Sequence, residues 1–286
     1  MMLLALTVLT AGAAERPVAV HGHRGARAVA PENTLPAFEH ALAVGVDILE
    51  LDTVVTKDDR LLVAHDPVLD SAICRWSDAR PLAEGTLARD HTLAELKALD
   101  CGSLKNPRFP DQTLVPGTPM PTLDEVLEYV AASAHPAAKS VRFNVESKIV
   151  PGAPERAASP ERFAELLVET FRRHEVVDRA ILQSFDHRVL AAAKALEPSL
   201  TVSFLNSDDR PDIAAMTTGL KADVYSPHHL WITRPDVDAM HAAGIEVHPW
   251  TANTPAEWER LIGMGVDGII TDDPAALIRY LDARGD

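Results

Sequence analysis

His21-Gly-His-Arg-Gly-Ala-Arg-Ala-Val-Ala-Pro-Glu-Asn-Thr34 follows the short apolar run Val18-Ala-Val20 and leads into an amphipathic stretch, Leu35 to Val44. The run before it reads as a buried strand and the stretch after it as a helix, so the quoted residues form a βα loop. In α/β proteins ligands sit at the carboxyl ends of the strands, which is where these imidazoles and guanidinium groups fall. Gly25 permits a sharp backbone turn. Pro36 suits the first turn of the helix, and Asn33 or Thr34 is expected to cap it.

The same rhythm continues along the chain. After Val18–Val20, strands are expected at Asp47–Thr53, Arg142–Ser147, Ala180–Ser184, Thr201–Leu205, Asp223–Ser226, Glu246–Trp250 and Gly268–Thr271. Helical patterns lie between them, among them Glu161–His174, His187–Leu196 and Pro255–Met264, with Gly244 and Gly265 placed as C-caps. Eight strands alternating with helices predict an α/β fold, a (β/α)8 TIM barrel. One interval departs from the pattern. From Leu61 the chain carries a hairpin strand, then a Pro-rich polar region with a helix near Leu93–Leu99. This reads as a small insertion after the second barrel strand, at about residues 66–121. It shows no sustained apolar face.

A chain of 286 residues accommodates one such barrel, and 47% hydrophobic residues supply its core. The net charge of −15 argues against a nucleic-acid partner, since phosphate backbones would be repelled. An anionic ligand must then be held by a local cluster of cations. Residues 1–14 are apolar and end in small residues, as a signal peptide does, although a positive n-region is missing. Residues 15–286 are then the single barrel domain, periplasmic or secreted. The protein is cytoplasmic if the segment is no signal. No later apolar stretch reaches membrane-spanning length, so no stable membrane insertion is expected. Cys74 and Cys101 either form a disulfide or remain two buried thiols. Their spacing excludes a Cys-x-x-Cys metal site.

Glu50 and Asp52 are two apart on an expected strand and share a face. Ile48, Leu49, Leu51, Val54 and Val55 make that segment apolar all round, which renders a buried carboxylate pair costly without compensation. In Arg142-Phe-Asn-Val-Glu-Ser-Lys148, Asn144, Glu146 and Lys148 alternate onto one face. Where Glu50, Asp52 and Glu146 converge, each close pair repels by about 4 kcal/mol at an effective dielectric near ~20. Three carboxylates so placed imply one divalent cation, and an all-oxygen donor set favours Ca²⁺ or Mg²⁺ over zinc. Arg24 and Lys148 are the candidate phosphate contacts, the first as a planar fork and the second as a point charge. Lys148 acting only as a salt-bridge partner is the plainer alternative. His23 and His65 end apolar runs beside charged residues, and their ordinary pKa suits proton transfer near neutral pH. His21, His228, His229 and His248 also fall near expected strand ends, without an assigned role. Gln183 and Phe185 line the fourth strand's end, and Trp250 stands at another.

His23-Arg-Gly25, Pro31-Glu-Asn-Thr34, Glu50-Leu-Asp52 and His65-Asp66 together resemble the glycerophosphodiester phosphodiesterases, and the resemblance runs from about Val18 to Pro274. It implies that Glu50, Asp52 and Glu146 bind the metal, that His23 and His65 are catalytic, and that Trp250 packs on substrate. Glu32 matches a position near the metal. Family members carry an insertion at the same place, associated with the glycerol side of the substrate. Asp267-Gly-Ile-Ile-Thr-Asp-Asp-Pro274 matches the closing strand and is expected to fix structure. Thr53 and Ser147 stand where the family more commonly has aliphatic residues.

The expected activity is metal-dependent hydrolysis of glycerophosphodiesters to sn-glycerol 3-phosphate and an alcohol. A lysophospholipase D or sphingomyelinase D-like activity on the same fold is the alternative, and it would need an apolar channel beside the site. A non-catalytic binder of glycerol phosphates is disfavoured because both histidines are present. The preferred alcohol, the oligomeric state and the role of each histidine are left open.

Overall fold

The strand Ile48–Val55 is buried at every position, although Glu50, Asp52 and Thr53 lie within it. Such a strand is packed on both faces, as in the parallel sheet of a closed barrel. The computed structural model describes residues 16–210 and 212–284, so the proposed leader at 1–14 lies outside the described residues.

The chain begins with β1 (Ala19–Gly22), α1 (Leu35–Val44), β2 (Ile48–Val55) and a short β3 (Leu61–Val63). The insertion holds β4 (Arg75–Trp76), α2 (Leu93–Leu96) and β5 (Leu99–Asp100), after which α3 (Leu123–Ala132) returns to the barrel. Next come β6 (Arg142–Ser147), α4 (Pro160–Arg173), β7 (Ala180–Ser184), α5 (His187–Leu196), β8 (Thr201–Asn206) and α6 (Ile213–Gly219). The last elements are β9 (Val224–Pro227), α7 (Arg234–Ala242), β10 (Glu246–Val247), α8 (Pro255–Gly263), β11 (Gly268–Thr271) and α9 (Pro274–Arg284).

Eight parallel staves run in the order β10-β9-β8-β7-β6-β2-β1-β11. Between β10 and β11 the ring is closed by backbone bonds, with Asp267 N donating to Val247 O at 3.0 Å and Ile270 N to Pro249 O at 3.0 Å. The expected (β/α)8 barrel is therefore present. β3 pairs antiparallel with β2, Thr53 opposite Val63, which folds the chain back to the mouth and leaves His65 there.

Local chemistry sets the helix boundaries. Thr122 with Glu125 and Thr254 with Glu257 form reciprocal capping boxes at α3 and α8. Phe163, Ala164, Leu167, Val168 and Phe171 of α4 recur at helical spacing and are all buried against the sheet. Each large side chain of that stripe contributes about 1.5–3 kcal/mol by leaving water. Thr53 and Ser147 find polar partners inside the sheet, Thr53 Oγ1 donating to Glu146 O at 2.7 Å and Ser147 Oγ to Ser184 Oγ at 3.0 Å.

Two expectations need correction. Thr34 does occupy the N-cap position of α1, but neither its side chain nor that of Asn33 makes a cap bond, because both are used elsewhere. Thr34 Oγ1 donates to Pro31 O at 2.5 Å, while Asn33, at φ 56°, reaches into the site. The insertion also has an apolar interior, which its scattered sequence spacing hides. Leu69, Leu82, Leu96, Leu99 and Met120 pack with Val54 and Leu62 of the hairpin, and a Cys74–Cys101 disulfide lies among them.

Candidate active site

The loop after β1 turns back on itself through two unusual residues. Gly25 has φ 84°, and a Cβ there would fall 2.7 Å from the Ala37 carbonyl carbon, so only glycine lets α1 approach this closely. Arg24 is itself at φ 51°, a conformation that costs a non-glycine residue energy and recurs at functional sites. It is held there by its own backbone N–H, which donates to Glu50 Oε2 at 2.8 Å.

Glu50, Asp52 and Glu146 each place a carboxylate oxygen within 4.8 Å of the others, and all three side chains are buried. The register of β2 on β6 causes this, since Asp52 lies opposite Glu146. Burial pushes the Glu50 carboxyl well above its usual range, with Asp52 adding repulsion, and burial raises Glu146 likewise. Burial also works against charge on Asp52, but Lys148 and Arg24 outweigh it and hold Asp52 below the ordinary carboxylate range. Gln183 Nε2 donates to Glu50 Oε1 at 2.7 Å and is itself fixed by Asn144 at 3.0 Å. Three crowded oxygen donors with no sulfur or imidazole among them suit a hard divalent cation. The residues fit the ion that the sequence implies.

Lys148 Nζ lies 3.0 Å from Asp52 and 2.9 Å from Glu146. Burial disfavours its charge, yet these two carboxylates raise its pKa above the usual lysine value. Arg24 pairs with Glu32 at 2.5 Å and with Asp52 at 3.2 Å. Both cations expected to meet phosphate are thus committed to carboxylates, and the plainer reading of Lys148 describes its present contacts.

His23 and His65 both line one cleft of about 380 Å³, together with Glu50, Glu146, Lys148, Gln183, Phe185 and Trp250. Their imidazoles are tethered alike, His23 Nδ1 to Asp272 at 2.5 Å and His65 Nδ1 to Asp66 at 2.8 Å. In each ring Nε2 is left clear of that aspartate, and His23 Nε2 is 3.9 Å from Glu50. Burial lowers the His23 pKa to about 4, against the opposing pull of Asp272. Trp250 is half-buried, its indole N–H donating to Ser226 O at 2.9 Å and its ring set edge-on to Phe185.

Sequence reasoning missed two contributors. Asp272 follows β11 and also receives Arg27 at 2.9 Å and Asn253 at 2.8 Å, so the closing segment supplies a site residue as well as structure. An acidic residue at a barrel strand's carboxyl end was the available signal. Asn33 Nδ2 donates to Asp52 Oδ2 at 2.9 Å and orients that carboxylate. Among the other histidines, His21 and His248 are buried against each other, ring centroids 4.8 Å apart, and neither lines the cleft. His229 bonds with Arg260 at 3.2 Å, and the His228 ring stands edge-on to Trp250.

With this geometry in view, comparison with known proteins is decisive. The family described as "Glycerophosphoryl diester phosphodiesterase family" matches residues 23–276. This chain belongs to that family. Its activity class is accordingly that of a glycerophosphodiester phosphodiesterase. A glycerophosphodiester phosphodiesterase of Caldanaerobacter subterraneus subsp. tengcongensis is 32% identical, the alignment covering 93% of this chain and 98% of that one. Among solved structures, a family homologue from Silicibacter pomeroyi DSS-3 superposes with TM-score 0.88 at 31% identity, over 94% of this chain and 95% of the other. An Oleispira antarctica phosphodiesterase, in complex with the product sn-glycerol-3-phosphate, gives TM-score 0.76 at 26% identity over 92% and 96%.

Proposed function

We propose that this phosphodiesterase hydrolyses glycerophosphodiesters to sn-glycerol 3-phosphate and an alcohol with a divalent cation, Ca²⁺ or Mg²⁺, and two histidines. The observation that carries this reading is the meeting of Glu50, Asp52 and Glu146 within 4.8 Å beside two aspartate-tethered imidazoles. The Oleispira relative's product complex supports the choice of product.

Glu50, Asp52 and Glu146 would hold the cation, which supplies Lewis-acid polarisation of phosphoryl oxygens when bound. Arg24 and Lys148 keep positive charge beside the phosphoryl group as negative charge builds there. One imidazole takes the proton of the attacking oxygen as the new P–O bond forms. The other protonates the departing alkoxide as the old P–O bond breaks. Asp272 and Asp66 hold the rings by Nδ1, which leaves Nε2 of each for the proton transfers.

The apolar wall of the insertion bears on the lysophospholipid alternative. A chamber beside His65, lined by Leu69, Ile73 and Met120 but also by Arg24, Asp66 and Asp70, has a volume of about 120 Å³. That is well below the ~300 Å³ at which drug-sized ligand pockets begin. It suits a small alcohol better than an acyl chain.

The Cys74–Cys101 disulfide supports an exported protein, because such bonds persist in oxidising compartments. N-terminal sequencing of the protein recovered from a periplasmic or culture fraction tests this. Among the described residues no helix is long and apolar enough to cross a membrane.

The deciding experiment is release of sn-glycerol 3-phosphate from glycerophosphocholine after EDTA treatment, with Ca²⁺, Mg²⁺ and Zn²⁺ restored separately. Full activity in EDTA would exclude the metal, and turnover of lysophosphatidylcholine in preference to glycerophosphocholine would exclude the substrate.

A further inference from the structure

We propose that Arg108, carried by the insertion, is a substrate-contacting residue that grips the phosphodiester at the mouth of the cleft. This rests on the activity proposed above and adds a group that no motif of the barrel supplies.

Four guanidinium or ammonium groups line the cleft: Arg24, Arg27, Lys148 and Arg108. Three are already matched with carboxylates. Arg24 is on Asp52 and Glu32, Arg27 on Asp272, and Lys148 on Asp52 and Glu146. Arg108 is exposed, and among the described residues its guanidinium is paired with no carboxylate. It also lines the small chamber at the insertion, as His65 does, so it stands where the two cavities meet. A diester has a phosphate between two organic arms. A group at the junction of two cavities is placed to meet that phosphate.

An exposed arginine is ordinarily only a solvated surface charge. Here the segment bearing it is fastened to the loop that bears His23 and Arg24. Asn106, buried, donates to Glu32 Oε2 at 3.2 Å, and its Oδ1 receives the Arg108 backbone N–H at 3.0 Å. The Phe109 ring lies 4.7 Å from the Arg27 guanidinium. Gln112 Nε2 donates to Ala30 O at 3.0 Å, and Thr113 N to Val29 O at 2.9 Å. Anchors on both sides of residue 108 fix the backbone while, among the described residues, its guanidinium donates to no carboxylate. The arrangement is preorganised for an anion, and arginine's planar fork suits two phosphate oxygens. A chain with net charge −15 repels anions at a distance, so a cation at the entrance also assists capture.

The test compares wild type, Arg108→Ala and Arg108→Lys in three readouts: kcat and KM on glycerophosphocholine, calorimetric Kd for sn-glycerol 3-phosphate, and thermal midpoint. Arg108→Ala is expected to raise KM and the product Kd together by about tenfold or more, the worth of one charge-assisted contact. Arg108→Lys should recover part of the loss, with the thermal midpoint unchanged in both. A product Kd within twofold of wild type in Arg108→Ala would overturn the proposal. So would a loss confined to a lowered thermal midpoint, which marks a structural residue. Wild-type protein that binds sn-glycerol 3-phosphate without turning over the diester would sink the proposed activity instead, leaving the Kd comparison to decide Arg108.

Discussion

Lys148 Nζ lies 3.0 Å from Asp52 Oδ1, buried between that carboxylate and Glu146. The ammonium pairs with two of the three clustered carboxylates and Arg24 with Asp52, which leaves Glu50 without a lysine or arginine side chain on it, so the cluster keeps capacity for a divalent ion. Cation added to EDTA-treated protein should therefore raise the thermal midpoint, by about 2.7 kcal/mol of stability at a hundredfold excess over Kd. Glu146→Gln should weaken that affinity by about tenfold or more and shrink the shift accordingly. A midpoint indifferent to Ca²⁺ and Mg²⁺ would count against a metal site.

Asp272 holds His23 in one orientation, so Asp272→Asn should leave the ring nearby while removing the charge that orders it. By analogy with other carboxylate–imidazole pairs, kcat should fall by about 10²–10⁴-fold. KM should change little, because Asp272 pairs with neither Arg24 nor Lys148, the cations proposed for phosphate; its arginine partner is Arg27. Steady-state kinetics of the variant on glycerophosphocholine check this, and kcat within threefold of wild type would refute it.

His21 is fully buried inside the barrel, and burial, with His248 and Arg142 beside it, lowers its pKa well below 6.5. The unfolded chain takes up a proton at this residue near pH 6.5 while the folded one does not. Its contribution to stability is thus whole above about pH 6.5 and is lost as pH falls, at up to about 1.4 kcal/mol per pH unit. Glu50 and Glu146 act with the opposite sign, since their raised folded pKa values favour the folded state at lower pH. The difference between wild type and His21→Leu in urea midpoint, taken at pH 8 and pH 5, isolates the imidazole. The variant's relative stability should improve toward pH 5, and an unchanged difference would disprove the argument.

Cys74 and Cys101 close a loop of 27 residues within the insertion. Restricting the unfolded chain over that length is worth about 3–4 kcal/mol. Reduction, or replacement of both cysteines by serine, should lower the denaturation midpoint by that amount. Denatured but unreduced protein should give no reaction with a thiol reagent.

Much of this was legible beforehand. Barrel staves announce themselves as short apolar runs, and two-residue periodicity alone put Glu50 with Asp52 and Glu146 with Lys148. What stayed hidden depends on closure in three dimensions. Asp272 matters because β11 pairs with β1, a contact between the two ends of the chain. Asn33 reads as a helix cap until its positive φ turns the side chain away from α1. The apolar interior of the insertion escaped notice because Leu69, Leu82, Leu96 and Met120 follow no helical or strand period. Arg108 has no motif at all, and only the folding of the insertion onto the loop after β1 brings it to the mouth.

The bond between His23 and Asp272 joins positions 249 residues apart, and the backbone nearby is stitched the same way, His23 N to Thr271 O at 2.9 Å. A ribosome releases the staves that carry Glu50, Asp52 and Glu146 long before it releases the aspartate that holds the His23 ring. A chain clipped before residue 272 would keep the three carboxylates yet lose the partner that fixes the His23 ring.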